Sequence, residues 1–335
     1  MAIPYLTSSQ AEKKINDWAA RNEDFLFIIN YTTDKCIVCT PSEARQRGIL
    51  YQLKTHSNFD QTFLPDRSGA NNNFDGQLNS IPPTYSDYLE AFQKVQSEIQ
   101  KGNTYLINLC FESKILDSLS LQHLFMNAAA PYRLLFRDQF LVFSPEPFIK
   151  IKDGKIHAYP MKGTIKANRP DAANTLLEDE KELAEHYTIV DLLRNDLSIW
   201  ASDVEVPRFR FIDKVSSGKQ SLYQTSSEIV GNLPGDYANS LGTILFSMLP
   251  AGSITGAPKK STAQILSEVE NFDRGFYTGV VGTYSSGVLE SAVMIRFIEK
   301  RNGDYFYKSG GGITFNSRPE NEYRELIDKI YVPFT

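Results

Sequence analysis

The chain has 335 residues, a formal net charge of −5 and a hydrophobic fraction of 41%. This balance is typical of a globular protein of one large domain or two ordinary ones. The negative charge argues against broad binding of nucleic acid, and no apolar run approaches the roughly 18–20 residues that cross a bilayer. Since the N-terminus also has no apolar signal core, we expect a cytoplasmic protein that binds neither nucleic acid nor membrane.

The first 80 residues mix a helix with strand-like runs at 25–31 and 35–40, and a polar linker rich in Asn, Ser, Gly and Pro follows at 65–83. We predict an N-terminal segment, residues 1–80, that completes the fold, and a main domain, residues 81–335. Cys36 and Cys39 have CxxC spacing, but no second Cys or His pair follows. Buried strand cysteines are therefore favoured over a metal or redox site.

The main domain begins with a helix, because Tyr88, Phe92, Val95 and Ile99 are spaced four, three and four apart. Further helices are predicted over residues 121–130, 178–198, 259–269 and 319–330. Strands are predicted over residues 104–111, 133–136, 140–143, 148–151, 155–159, 280–284, 289–298 and 304–308. Hairpins dominate, and helices fall between blocks of strands. The fold class is α+β with largely antiparallel sheet.

Two helical segments each carry glutamates three residues apart: Glu182 with Glu185, and Glu322 with Glu325. Residues at i and i+3 share a helix face, so each segment offers a carboxylate pair. If the helices face each other across a cavity, the oxygens suit Mg²⁺, which binds one or two carboxylates and keeps waters and an anionic substrate. The alternative is that both pairs are solvated helix faces.

Two glycine-rich strings are candidate anion sites. Residues 250–259, which include Ser253 and Thr255, end at a helix start, where unpaired N–H groups attract anions. The other string is a glycine triplet that follows a strand; its amides can close on a carboxylate, or it forms a tight turn. The triplet comprises Gly310, Gly311 and Gly312.

Three further side chains are candidates. Strand alternation puts Arg296 on one face with Met294, where it either faces solvent or, if buried, needs a carboxylate partner. Tyr284 is a phenolic donor or a packing residue. Lys162 precedes a glycine that leaves room for a ligand; it is either a solvated lysine or a nucleophile, if its surroundings favour the neutral amine.

These strings, taken in order, resemble the chorismate-utilising enzymes: anthranilate, isochorismate, salicylate and aminodeoxychorismate synthases. The matching strings lie at residues 144–146, 160–164, 181–186, 190–197, 252–259, 310–313 and 319–325, with Tyr284 and Arg296 between them. The resemblance extends from residue 85 to the C-terminus. It implies large antiparallel sheets packed face to face around a central cleft, with helices outside, and a chorismate-binding catalytic domain over residues 81–335.

Lys162 discriminates within this family, because aminodeoxychorismate synthases look like Pro-x-Lys-Gly-Thr here, whereas anthranilate synthases carry alanine at the lysine position. The resemblance points to the component that makes 4-amino-4-deoxychorismate for p-aminobenzoate and folate biosynthesis. It implies that Lys162 adds to C2 of chorismate as the 4-hydroxyl leaves. Ammonia then adds at C4 and expels the lysine.

The resemblance also implies roles for the other candidates. The four glutamates, Glu182, Glu185, Glu322 and Glu325, would hold Mg²⁺ directly or through water. Contacts to the substrate's carboxylates are expected from Tyr284, Arg296 and the amides of Gly310, Gly311 and Gly312. The pocket would be lined by Thr164, Ser253 and Thr255. We count Lys162, Thr164 and Gln224 as the catalytic candidates.

Two positions depart from the family's pattern. The family usually has His-Leu-Val-Ser at residues 224–227, so Gln224 replaces a histidine credited with helping the hydroxyl to leave. An amide forms hydrogen bonds but is not an acid. Many members also have Gln where this chain has Leu106.

The chain contains no nucleophilic cysteine in a glycine-rich elbow, so we expect ammonia from a separate glutamine amidotransferase. Two alternatives stay open. One is anthranilate or isochorismate synthase, against which Lys162 argues. The other is a non-catalytic paralogue that binds chorismate, which the departure at Gln224 allows and the two glutamate pairs argue against.

Overall fold

The computed structural model describes residues 4–59, 76–217 and 220–334. The helices are α1 (Ser8–Ala20), α2 (Pro41–Gln46), α3 (Tyr85–Gln100), α4 (Leu121–Asn127), α5 (Ala172–Glu178), α6 (Glu180–Ser198), α7 (Leu241–Ser247), α8 (Gly252–Thr255), α9 (Lys259–Val269) and α10 (Pro319–Asp328). None of these is long and apolar enough to span a membrane.

The strands in the described ranges are β1 (Phe25–Ile29), β2 (Cys36–Cys39), β3 (Ile49–Leu53), β4 (His56–Ser57), β5 (Ser80–Ile81), β6 (Leu106–Ile115), β7 (Tyr132–Phe136), β8 (Phe140–Ser144), β9 (Pro147–Lys152), β10 (Lys155–Ala158), β11 (Met161–Lys166), β12 (Ser202–Ser217), β13 (Gln220–Asn232), β14 (Gly256–Ala257), β15 (Val280–Ser285), β16 (Val288–Val293), β17 (Phe297–Arg301) and β18 (Asp304–Thr314). They form two large sheets.

The first sheet has the order β11-β13-β10-β9-β16-β15-β1-β2, with β12 also paired to β13. The second has the order β14-β6-β18-β17-β8-β7-β3-β4, with β5 also paired to β6. One apolar cluster joins the faces of both sheets: Leu26 and Val281 of the first share it with Leu53, Leu134 and Val142 of the second. The α+β class and the face-to-face packing are therefore confirmed.

Helices cover the outer faces of the sheets. Ile15 of α1, Leu193 of α6 and Leu245 of α7 share a core with the first sheet. Val95 of α3 and Leu326 of α10 share another with β6 and β18 of the second. Each helix buries one apolar stripe, as the spacing along α3 predicted.

The N-terminal strands belong to both sheets, since β1 pairs with β15 and β3 pairs with β7. The division at residue 80 stays a prediction, and residues 65–75 of the predicted linker lie outside the described residues. Cys36 and Cys39 lie in β2 and pack into different apolar clusters, on opposite faces of the sheet. Burial raises the pKa of the Cys36 thiol to about 12, so the interpretation as buried strand cysteines is confirmed.

Two predicted elements differ from the structure, and one hairpin was missed. The helix over 178–198 begins at Glu180, because Asp179 ends α5 and caps α6. The single strand over 289–298 is wrong, because the chain leaves the first sheet after Val293 and enters the second at Phe297. The long β12–β13 hairpin was not predicted, although residues 204–211 alternate in the manner of a strand.

We expect replacement of Gly256 by alanine to be strongly destabilising. Its φ is +130°, and an added Cβ would lie 2.0 Å from the carbonyl oxygen of Leu106 on the neighbouring β6. Overpacking and strain at such a position cost about 1–3 kcal/mol each. Urea denaturation should therefore show a free energy of unfolding for Gly256→Ala lower by about 3 kcal/mol. The control is Gly235→Ala, because nothing lies within 4 Å of a Cβ there; equal effects would contradict the prediction.

Candidate active site

A cavity of about 400 Å³ lies between β11 and β13 of the first sheet and β6 and β18 of the second, and α6 and α10 also contribute to its wall. The structure brings most of the predicted site residues to this cavity. Those that line it are Lys162, Thr164, Glu182, Glu185, Gln224, Ser253, Arg296, Gly310, Gly312 and Glu325. Those outside its lining are Thr255, Tyr284, Gly311 and Glu322.

Lys162 is directed into the cavity by an irregularity in β11. The register between β11 and β13 shifts between Lys162 and Thr164, and the intervening Gly163 has a φ of +71°. A bulge with a left-handed glycine re-aims the neighbouring side chain. The ammonium of Lys162 thereby lies 3.6 Å from the Glu185 carboxylate, and both side chains are largely buried. The interpretation of Lys162 as a solvated lysine is wrong.

The α6 glutamates enter the cavity from its other side. Asp179 caps the helix by accepting a hydrogen bond from the Glu182 N–H at 3.0 Å, which places Glu182 and Glu185 in its first two turns. An added Cβ on Gly163 would lie 3.1 Å from Glu182 Oε2. Glycine at residue 163 therefore leaves the space that the Leu176 and Glu182 side chains occupy, and the pair is not a solvated helix face.

The second glutamate pair is divided. Glu325 lines the cavity, and its carboxylate pairs with Lys329 at 2.7 Å. Glu322 is buried outside the cavity lining, close enough to Tyr88 of α3 that its charge adds to burial in raising the pKa of that phenol. The i, i+3 spacing correctly gave a common face, but α10 packs against α3 and presents only its second turn to the cavity.

The glycine triplet is neither a tight turn nor a loop around an anion, because all three residues lie within β18 and pair with β6. These glycines matter structurally because they have no side chain to fill the space beside β18. A Cβ on Gly312 would lie 3.2 Å from Glu185 Oε2 and 3.3 Å from Lys162 Nζ. Glycine thus lets a strand of the second sheet approach the charged groups of the first sheet and of α6.

Arg296 occupies the crossover between the sheets, with a φ of +54°. A left-handed non-glycine residue costs of order 1–3 kcal/mol and is found where structure is constrained by function. Its guanidinium lies 5.2 Å from the centre of the Tyr331 ring and lines the cavity. The prediction from strand alternation was wrong for this residue, since it lies outside both strands.

Tyr284 is not at the cavity. Its ring stacks on Phe25 with centroids 5.2 Å apart, inside the core beneath the first sheet. Tyr277 lines the cavity instead, and burial raises its pKa well above the ordinary value. The structure therefore does not bring Tyr284 to the cavity with the other candidates, because the two tyrosines pack into different apolar clusters.

Glu146 is a cavity residue to which sequence reasoning gave no role. Burial raises the pKa of its carboxyl, against the opposing effects of a hydrogen bond from Ser253 and the nearby charge of Lys162. A carboxyl whose pKa is raised, in a cavity that also holds a lysine, is suited to acid catalysis. The sequence feature that could have identified Glu146 is its position in the family-matching string at residues 144–146.

Behind the cavity, His186 of α6 is fully buried, and its Nε2 lies 2.6 Å from the Ser227 hydroxyl. Burial, aided by the charges of Arg210 and Lys162, lowers the pKa of His186 to about 4, so the ring is neutral near pH 7. Gln224 lines the cavity directly, opposite Thr164 in the register. The position where the family usually has histidine therefore carries a neutral amide.

The donor set fits magnesium bound partly by water and substrate. Glu182, Glu185 and Glu325 line one cavity, but no three acidic, His or Cys groups in the described part of the chain are close enough to enclose an ion. Mg²⁺ often takes only one or two carboxylates and completes its shell with waters and an anionic ligand. Binding of Mg²⁺ stays a prediction, and Glu322 is outside the set that the cavity offers.

The model of the chorismate binding enzyme family matches residues 7–334 of this chain. The chain belongs to that family. It is 44% identical over 321 residues to a Haemophilus influenzae protein named "Uncharacterized PabA-like protein", covering 96% of this chain and 95% of that one. It is 31% identical over 269 residues to aminodeoxychorismate synthase component 1 of Bacillus subtilis, covering 75% of this chain and 56% of the relative.

The fold is also that of a solved family member. Anthranilate synthase component I from Streptococcus pneumoniae matches with a TM-score of 0.66 and 25% identity, over 81% of this chain and 62% of that chain. The expected resemblance to chorismate-utilising enzymes is thus confirmed. Because relatives of this enzyme carry the names of different synthases, family membership gives the substrate class but not the product.

Matched substitutions can distinguish the roles of Tyr277 and Tyr284. Tyr277→Phe removes a phenol from the cavity wall, and loss of one hydrogen bond to a charged ligand costs about 1.5–3 kcal/mol. We therefore expect the KM for chorismate to rise about tenfold or more while the protein stays folded. Tyr284→Phe, in the core, should leave KM unchanged. Chorismate consumption measured for both variants checks this, and a larger effect at Tyr284 would contradict it.

Proposed function

We propose that this enzyme replaces the 4-hydroxyl of chorismate by ammonia to give 4-amino-4-deoxychorismate. The observation that carries the proposal is the lysine amine that the bulge at Gly163 holds inside the cavity, 3.6 Å from Glu185. The relative named aminodeoxychorismate synthase component 1 supports the same assignment. We propose further that the product serves p-aminobenzoate and folate biosynthesis.

In the first half-reaction the neutral amine of Lys162 adds to C2 of chorismate. The electron pairs of the conjugated diene shift towards C4, and the C4–O bond breaks. In the second half-reaction ammonia adds at C4, the electron pairs return, and the C2–N bond to Lys162 breaks. A base accepts the surplus proton of the added nitrogen. With C2 occupied by the enzyme, ammonia has only C4 to attack.

The hydroxyl leaves as water if an acid protonates it, and Glu146 is suited to that role. Burial raises its pKa, so its carboxyl holds a proton to higher pH than a solvated glutamate does. Gln224 offers a hydrogen bond but no proton. Glu146 thus supplies the acid that the departure at residue 224 had left without a candidate.

The remaining cavity groups bind and orient the substrate. Arg296 offers a guanidinium fork to a carboxylate, and Gly310 and Gly312 leave room for the ring. Glu182, Glu185 and Glu325 are the residues that would hold Mg²⁺. When bound, the ion would neutralise a substrate carboxylate and help the hydroxyl to depart as a Lewis acid.

Ammonia would come from a separate glutamine amidotransferase. Thr164, Glu325 and Asp328 are exposed residues of the cavity wall, so the cavity is open to solvent at this side. Free ammonia at high concentration should therefore replace the partner in an assay, because it can enter without passing through a second subunit.

We expect Lys162→Ala to lose aminodeoxychorismate formation by on the order of 10³-fold or more, as removal of nucleophiles does in other enzymes. The assay contains chorismate, Mg²⁺ and ammonium at alkaline pH, with products separated by chromatography. Lys166→Ala is the matched control, since Lys166 is exposed on the same strand. Intact mass after trapping should also show a chorismate-derived adduct at Lys162.

Three results would overturn this assignment. Formation of anthranilate or isochorismate by the unaltered enzyme, without aminodeoxychorismate, would give it another activity of the family. Full activity of Lys162→Ala would remove the covalent step. Binding of chorismate without any turnover, measured by calorimetry, would indicate a non-catalytic paralogue.

Glu146→Gln should lower kcat by about 10²- to 10⁴-fold, the usual effect of losing a general acid. Because the acid acts in its protonated form, kcat of the unaltered enzyme should fall as pH rises through the raised pKa of Glu146. This fall of kcat with rising pH should be absent from Glu146→Gln. The profile is measured with the concentration of unprotonated ammonia held constant. Glu228→Gln is the control, because the Glu228 carboxylate is bonded to Tyr159 outside the cavity lining. If kcat of Glu146→Gln falls with pH as it does in the unaltered enzyme, Glu146 is not the general acid.

A further inference from the structure

Arg210 of β12 is a buried arginine outside the cavity lining, and it holds the junction between α5 and α6. Its guanidinium donates to the carbonyl oxygens of Leu176 and Asp179 at 2.8 and 3.3 Å, and to that of Leu177. The carbonyls of Leu176 and Leu177 belong to the last turn of α5, where no helical partner exists. A planar group with several donors can satisfy all three acceptors at once.

The backbone of Arg210 is shaped for this contact. The register of β12 against β13 shifts between Arg208 and Phe211, and the φ of Arg210 is +47°. A bulge of this kind turns a side chain out of the regular alternation of the strand. Such a conformation is costly for arginine, and it persists where surrounding contacts fix it.

The same residue also reaches the second turn of α6. The Arg210 backbone N–H donates to the Ser227 hydroxyl oxygen at 2.8 Å, and that oxygen lies 2.6 Å from Nε2 of His186. Arg210 is therefore connected to α6 twice, through Asp179 at the cap and through His186. Glu182 and Glu185, which line the cavity, lie between these two attachments.

We propose that Arg210 is a positioning residue that sets the place of Glu182 and Glu185 opposite Glu325, and thereby the affinity of the cavity for a divalent cation. This inference rests on the metal-binding role proposed for those glutamates. The carboxylates come from separate elements, α6 and α10, so their separation depends on how firmly α6 is held. Residues that orient metal ligands typically change metal affinity about 10- to 100-fold when they are replaced.

The test is Mn²⁺ binding to the full chain without substrate, followed by the electron paramagnetic resonance signal of the free ion, with Mg²⁺ as competitor. Arg210→Gln should raise the dissociation constant about tenfold. The Mg²⁺ concentration for half-maximal activity should rise equally, and kcat at saturating Mg²⁺ should stay close to that of the unaltered enzyme. Arg208→Gln is the matched control, because its guanidinium lies on the Phe211 ring in the same strand.

An unchanged dissociation constant in folded Arg210→Gln would overturn the inference, as would a loss of kcat at all Mg²⁺ concentrations with unchanged binding. If Arg210→Gln does not fold, Arg210→Lys is measured in its place, since lysine keeps the charge but not the several donors of the guanidinium. Unchanged Mn²⁺ binding in Arg210→Lys overturns the inference equally. Glu185→Gln separates the two proposals. Weaker binding in Glu185→Gln alone would refute only the role of Arg210, and unchanged binding in Glu185→Gln would refute the metal site itself.

Discussion

The active cavity depends on the close approach of β18 to the groups carried by β11 and α6. Gly312 lies where any side chain would contact both Lys162 Nζ and Glu185 Oε2, at 3.3 and 3.2 Å from an added Cβ. Gly163 plays the same part against Glu182 from the opposite strand. Because glycine leaves only backbone at these two positions of the cavity wall, a lysine and two glutamates can line one narrow space between the sheets. Glycine weakens a strand, and Gly312 lies within the long β6–β18 ladder.

A second constraint is the crossover at Arg296. The chain passes from the first sheet to the second within three residues, and the left-handed backbone of Arg296 makes this short connection. The same residue then brings a guanidinium to the cavity wall. The fold and the cavity are thus joined at one strained position, since a shift in the packing of the two sheets would move the guanidinium that lines the cavity.

The sequence predicted α3, the β9–β10 hairpin and the α6 glutamates well, because these depend on local periodicity and turn residues. The predictions from sequence failed where the position of a side chain depends on which parts of distant elements pack together. Glu322 shares a helix face with Glu325, yet the packing of α10 on α3 keeps it from the cavity. Tyr277 and Tyr284 pack into different apolar clusters, and only Tyr277 of these two lines the cavity. Arg210 had no motif, because its role depends on a bulge that periodicity cannot show.

The replacement of histidine by Gln224 changes how the charges of the cavity must work together. A neutral amide at this position removes one titrating group from the vicinity of Lys162, and His186, although close, is held neutral by burial. In the reaction proposed above, Glu146 would protonate the leaving hydroxyl; its raised pKa comes from burial and is opposed by the charge of Lys162. The charge of Lys162 therefore acts on Glu146 across the cavity, so the nucleophile and the acid of the proposed reaction are electrostatically coupled.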